Sequence, residues 1–206
     1  MQQNGPPLTL IKCQNTKTHE KGRYQPLKRM IALLSACALV LTLSACGAKP
    51  QTQPKDYAKI LTEARTEEEN QYMSVVAKGE DGAPTLAHNP AGIEEGNVGD
   101  YVDLTLEMMG LTTEDLEDYA ISASLINISA YNISILKPAQ GKEADVVKAL
   151  EAYRDLQMKS FENYLPDQYK ITQDTQIKTL PTGEVVLVMC ANADQVLTDL
   201  SARLAQ

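Results

Sequence analysis

The spacing of apolar positions changes along the chain, and each change predicts an element. Over 57–65, Tyr57, Ile60, Leu61 and Ala64 recur at helical spacing, and the acidic run Glu67-Glu68-Glu69 ends that helix. Tyr72, Val75 and Val76 predict a short strand over 71–77. Residues 78–99 are rich in Gly, Pro, Asp and Asn and predict a long surface loop. A second helix is expected over 100–109, stopped by Gly110, with a capped turn at Thr112/Thr113 followed by Glu114-Asp115.

From 118 onward the pattern is sharper. Tyr119, Ile121, Ala123 and Leu125 alternate with Ala120, Ser122 and Ser124, and Tyr131, Ile133 and Ile135 alternate with Asn132 and Ser134. These are two strands with one apolar face each, joined through 127–130 as an antiparallel hairpin. The longest helix is expected over 141–165, with Glu143 and Asp145 in its first turn, where the helix dipole favours acids, and Pro166 at its end. Two more strands, 175–180 and 184–190, flank the turn Pro181-Thr182-Gly183. The second is apolar on both faces and belongs inside the sheet. A helix over 194–204 closes the chain.

The expected fold class is α+β. An antiparallel sheet of about four strands in β-β-α-β-β-α order carries both helices on one face, with a helical and strand segment before it. In that arrangement Tyr119, Ile121, Leu125, Tyr131, Ile133 and Ile135 point to the helices. Ser122, Ser124, Asn132 and Ser134 then form a small polar candidate binding face on the other side, bordered by residues 57–109.

Upstream lies a different signal. Lys28 and Arg29 precede an apolar run over 31–43, broken only by Ser35 and Thr42 and followed by Ser44-Ala45. The run is shorter than the roughly 20 residues that a membrane span needs. Leu43-Ser44-Ala45-Cys46 resembles the lipobox of bacterial lipoproteins. That resemblance implies cleavage before Cys46, a diacylglycerol on its sulfur, and a protein held by this anchor on the extracytoplasmic side of the cell membrane. A buried core helix and an uncleaved anchor helix are the alternatives. The first fits poorly with the solvated stretch 49–56, the second with the short run. The expected organisation is a lead over 1–26 from a misassigned start, a signal peptide over 27–45, a lipidated linker over 46–56 and one domain over 57–206.

Processing at Cys46 changes the charge. Residues 1–45 hold six of the 19 basic and one of the 27 acidic residues, which leaves 13 against 26 and a formal net charge of −13. Such a field disfavours nucleic acid and anionic lipid as partners. Cys13 and Cys37 fall in the leader and Cys46 in the anchor, so Cys190 stands alone and no internal disulfide is expected.

Candidate chemistry is sparse. His88 and Cys190 are too few for a zinc site, and the acidic clusters at 67–69, 94–95 and 114–118 lack calcium-loop spacing. No G-x-S-x-G, Cys/His pair or glycine-rich phosphate loop is present, and tryptophan is absent. No metal or cofactor is expected, and an enzyme is the minority reading. The chain is expected to be a monomeric interaction module at the cell envelope, binding a protein or envelope component. A small-ligand accessory protein and, further off, a hydrolase are the alternatives.

A family likeness rests on three stretches. They are Gly141-Lys142-Glu143, then Gln157 with Lys159-Ser160-Phe161-Glu162-Asn163-Tyr164, and Gly183 with Val185-Val186-Leu187-Val188-Met189-Cys190. Together they resemble the bacterial domain-of-unknown-function 4358 family over roughly 100–204. The resemblance implies an exported lipoprotein and adds no site residue.

Overall fold

The structure is a computed structural model and describes residues 54–206. The expected leader, signal peptide, lipobox and most of the linker lie outside the described residues. In chain order come α1 (Tyr57–Ala64), α2 (Glu67–Tyr72), β1 (Val75–Lys78), β2 (Pro84–His88), α3 (Val98–Met108), β3 (Leu116–Ala123), β4 (Asn132–Pro138), α4 (Glu143–Phe161), α5 (Pro166–Gln173), β5 (Gln176–Thr179), β6 (Val185–Met189) and α6 (Ala193–Leu204). The class is α+β as expected, but the sheet has six strands, all antiparallel, in the order β2-β1-β3-β4-β6-β5.

The expectation that both helices share one face is corrected. Helices α3 and α4 pack on one face against Ile121, Leu136, Val185, Leu187 and Met189. Helices α1 and α6 pack on the other against Ala120, Ile133, Ile135, Val186 and Val188. The cause is visible in the strands. Every residue of β6 is buried, and β4 is buried at all positions but Lys137, so both faces need cover.

Hairpin register decides which residue meets which helix. Ile121 pairs with Ser134, Tyr119 with Leu136 and Ser122 with Ile133. Partners directly opposite share a face. Tyr119 and Ile121 therefore point towards α3 and α4, while Tyr131, Ile133 and Ile135 point towards α1 and α6. Leu125 leaves the sheet altogether and sits in the connecting loop.

Two expectations for the stretch before β3 are corrected. The expected loop 78–99 contains β2, which returns along β1 through a turn at Gly82, whose φ of 85° is the left-handed conformation glycine tolerates. The expected strand over 71–77 begins only at Val75, because Thr66 and Glu69 form a capping box that starts α2 directly after α1. The long helix, expected to run to 165 and be ended by Pro166, stops earlier at Phe161, and Pro166 instead opens α5 from the first-turn position that suits proline.

Candidate functional site

The residues expected to share a binding face are separated. Ser122 is buried beneath α1, where its hydroxyl donates to the Ser74 carbonyl at 2.7 Å and accepts from Arg65 Nη1 at 2.6 Å. Asn132 and Ser134 are buried on the opposite face. There Ser134 donates to Asn132 Oδ1 at 2.5 Å, and Asn132 Nδ2 donates to Met109 Sδ at 3.4 Å. Ser124 lies beyond β3 and is half-buried, its N–H donating to the Tyr131 carbonyl at 3.0 Å. These side chains serve internal contacts on two faces and do not line one surface. The lipobox residues Leu43, Ser44, Ala45 and Cys46 lie outside the described residues.

The two reactive side-chain types are also placed. His88 Nε2 lies 2.6 Å from the Asn70 carbonyl at the end of edge strand β2. Cys190 is buried just after β6. Burial, with the charge of Glu69 behind it, pushes its thiol up to about 12, so it stays protonated and unreactive at neutral pH.

Residues that the alternation could not single out converge at one end of the sheet. The start of α1 brings Lys55 and Tyr57, the start of β3 brings Glu117 and Asp118, the end of β4 brings Lys137, and the turn before β6 brings Thr182 and Glu184. They line a hollow of about 500 Å³, which adjoins a second of about 590 Å³ running past Ala77, Lys78, Thr85 and Ala87. Glu184 is only 2% exposed. Its Oε1 accepts from Tyr57 Oη at 2.8 Å and from Lys55 Nζ at 3.3 Å. Lys55 also donates to the Leu204 carbonyl at the end of α6, Lys78 to the Glu117 carbonyl at 2.8 Å, and Lys137 to the Thr182 carbonyl at 2.9 Å.

The electrostatics follow from these contacts. Burial pushes Glu184 up, but Thr182, Tyr57 and Lys55 outweigh it and hold the carboxyl below its usual range. Burial, reinforced by the hydrogen bond to Glu184, raises Tyr57. Burial also raises Asp118, against the backbone N–H of Tyr119. The three ammonium groups each bond a carbonyl, so the cluster first of all fastens the entry of the chain to its last helix and to the sheet. Among the described residues no group of three or more His, Cys, Asp or Glu side chains could hold a metal ion.

The opposite flank has another character. Between Lys78 and Lys137 the sequence contains eleven Asp or Glu and no Lys or Arg. Helix α3 lies in this stretch and exposes Asp100, Asp103 and Glu107, together with Leu104 and Met108. Across from it α4 exposes Leu156. Hydropathy periodicity alone does not find this flank. The unbroken run of one charge sign does, and it was legible in the sequence.

An antiparallel six-stranded sheet with helices on both faces defines an α+β domain. Residues 99–191, from the first turn of α3 to just past β6, match the family described as Domain of unknown function (DUF4358). The match supports the domain family to which the sequence pointed. No curated protein and no solved structure matches the chain.

Proposed function

We propose that the chain is a bacterial lipoprotein, tethered through Cys46 on the extracytoplasmic side of the cell membrane, whose domain is an interaction module of the envelope. The observation that carries the tether is the order of basic pair, short apolar run, small residues and Cys46. Among the described residues no helix is long and apolar enough to cross a membrane. The reading as a binding module draws on the exposed apolar side chains of the acidic flank.

Cys46→Ala tests the tether. The variant is expected to leave the membrane fraction or to retain an uncut signal, and mass spectrometry of the parent should find lipid-modified peptides that begin at Cys46. A cleaved Cys46→Ala protein that stays at the membrane would end the lipoprotein reading. Recovery of peptides from 1–26 in mature protein would end the reading of that segment as a misassigned lead.

A further inference from the structure

We infer that the outer track along α3 and α4 is a docking groove for a basic amphipathic helix of a partner protein. This deepens the interaction-module reading and rests on it for where that partner is met.

The groove is built from both helices. Leu104 and Met108 lie one turn apart on α3 and share a face, at 48% and 37% exposure, and Leu156 of α4 is 56% exposed. Between the helices is a hollow of about 400 Å³, lined by Met108, Tyr153 and Leu156 and by the small residues Gly110, Ala149 and Ala152. Small lining residues let another backbone come close. A second hollow of about 590 Å³ opens beside Ile93, Tyr101 and Leu104, so Leu104 and Met108 link two recesses into one track. An apolar strip recurring at one-turn intervals is what an amphipathic helix presents to a groove.

The rim selects the sign of the occupant. Asp100 and Glu107 border the track on α3, and Asp145 borders it on α4, with Lys148 as the lone basic residue lining the hollow between the helices. A helix with Lys or Arg beside its apolar stripe would meet these acids in register. A second copy of this chain would not, because a two-fold contact sets the same acidic rim against itself. An anionic lipid surface is repelled for the same reason.

The test uses the purified full-length chain and labelled Leu/Lys peptides of about 18 residues, which form roughly 27 Å of helix. One peptide has leucines at amphipathic spacing, one has the same composition scrambled, and one replaces lysine with glutamate. By fluorescence anisotropy the amphipathic basic peptide should bind at least about tenfold more tightly than the scrambled one, and the acidic one should not bind. Leu104→Ser with Leu156→Ser should weaken binding about tenfold. Asp100→Asn with Glu107→Gln should weaken it and flatten its salt dependence. All four side chains are at the surface, so unchanged circular dichroism is expected in both variants.

Equal binding of the scrambled peptide, or indifference to both double variants, overturns the proposal. A dimer in sedimentation velocity that the double serine variant abolishes would assign the groove to a second copy and overturn it too. Binding to anionic vesicles through the same residues would also overturn it. Peptide binding that persists while Cys46→Ala stays cleaved and membrane-bound would sink the lipoprotein reading alone.

Discussion

Replacing Arg65 with alanine should lower the unfolding free energy by about 3 kcal/mol, as measured by urea denaturation with little change in slope. The side chain is only 7% exposed, and none of its nitrogens lies within ion-pair distance of a carboxylate among the described residues. Neutral oxygens solvate the guanidinium instead. Nε and Nη2 donate to Asn70 Oδ1 at 3.0 and 2.6 Å, and Nη1 donates to the Met73 carbonyl at 3.1 Å and to Ser122 Oγ at 2.6 Å. Asn70 in turn donates to the Thr62 carbonyl at 3.0 Å, so one guanidinium ties α1, α2, the approach to β1, and β3. Each hydrogen bond to a charged group contributes about 1.5–3 kcal/mol, and truncation leaves buried acceptors without donors. Arg65→Met keeps much of the packing volume and should recover less than half of the loss. If Arg65→Ala costs under about 1 kcal/mol, the network is ornamental and the N-terminal helices are held by their apolar contacts alone.

Arg65 also marks where the sequence could be read further than periodicity allows. It continues the buried face of α1, four positions after Leu61 and seven after Ala58, and a charge in that register calls for an internal partner. The identity of Ser122 as that partner was out of reach, because it depends on the register of β3 against β1 and β4, which no local pattern reports. The same limit explains the split of the serine and asparagine residues. Alternation held within β3 and β4, although Ser124 and Leu125 fall beyond β3, but Ser122 stands opposite Ile133 and not opposite Ser134. Shifting the hairpin by one residue exchanges the faces. With β3, β4 and β6 buried on both sides, apolarity could not choose between the two registers. Strand β2 was hidden for another reason. Its half-exposed sequence Pro84-Thr85-Leu86-Ala87-His88 has one large aliphatic residue, and Asp81-Gly82 was the available hairpin signal. Strands β3, β4 and β6, the long helix and the closing helix were legible because each buries a regular apolar stripe, whereas β5 buries no residue and was legible through the turn Pro181-Thr182-Gly183 that pairs it with β6.

Glu184→Gln should cost about 1–2 kcal/mol at pH 7, and that difference should shrink as the pH falls. The sign follows from the depressed carboxyl. Held below its ordinary value near 4.5, Glu184 contributes stability that is fully present above that pH and is lost as the pH drops through its folded pKa. The glutamine retains an acceptor for the Tyr57 hydroxyl but removes the charge that draws Lys55, so parent and variant should converge towards pH 3. Glu184→Ala removes the acceptor as well and should cost about 3 kcal/mol, because Tyr57 Oη is then buried beside nothing that can accept its proton. Tyr57→Phe isolates the hydroxyl and should cost about 1.5 kcal/mol. Unfolding in urea at pH 7, 5 and 3, compared as differences between variant and parent, cancels the titration of the other acidic groups. A Glu184→Gln difference that stays constant from pH 7 to 3 would show that the Glu184 charge does not hold the entry of the chain, and that the Lys55 bond to the Leu204 carbonyl fastens it unaided.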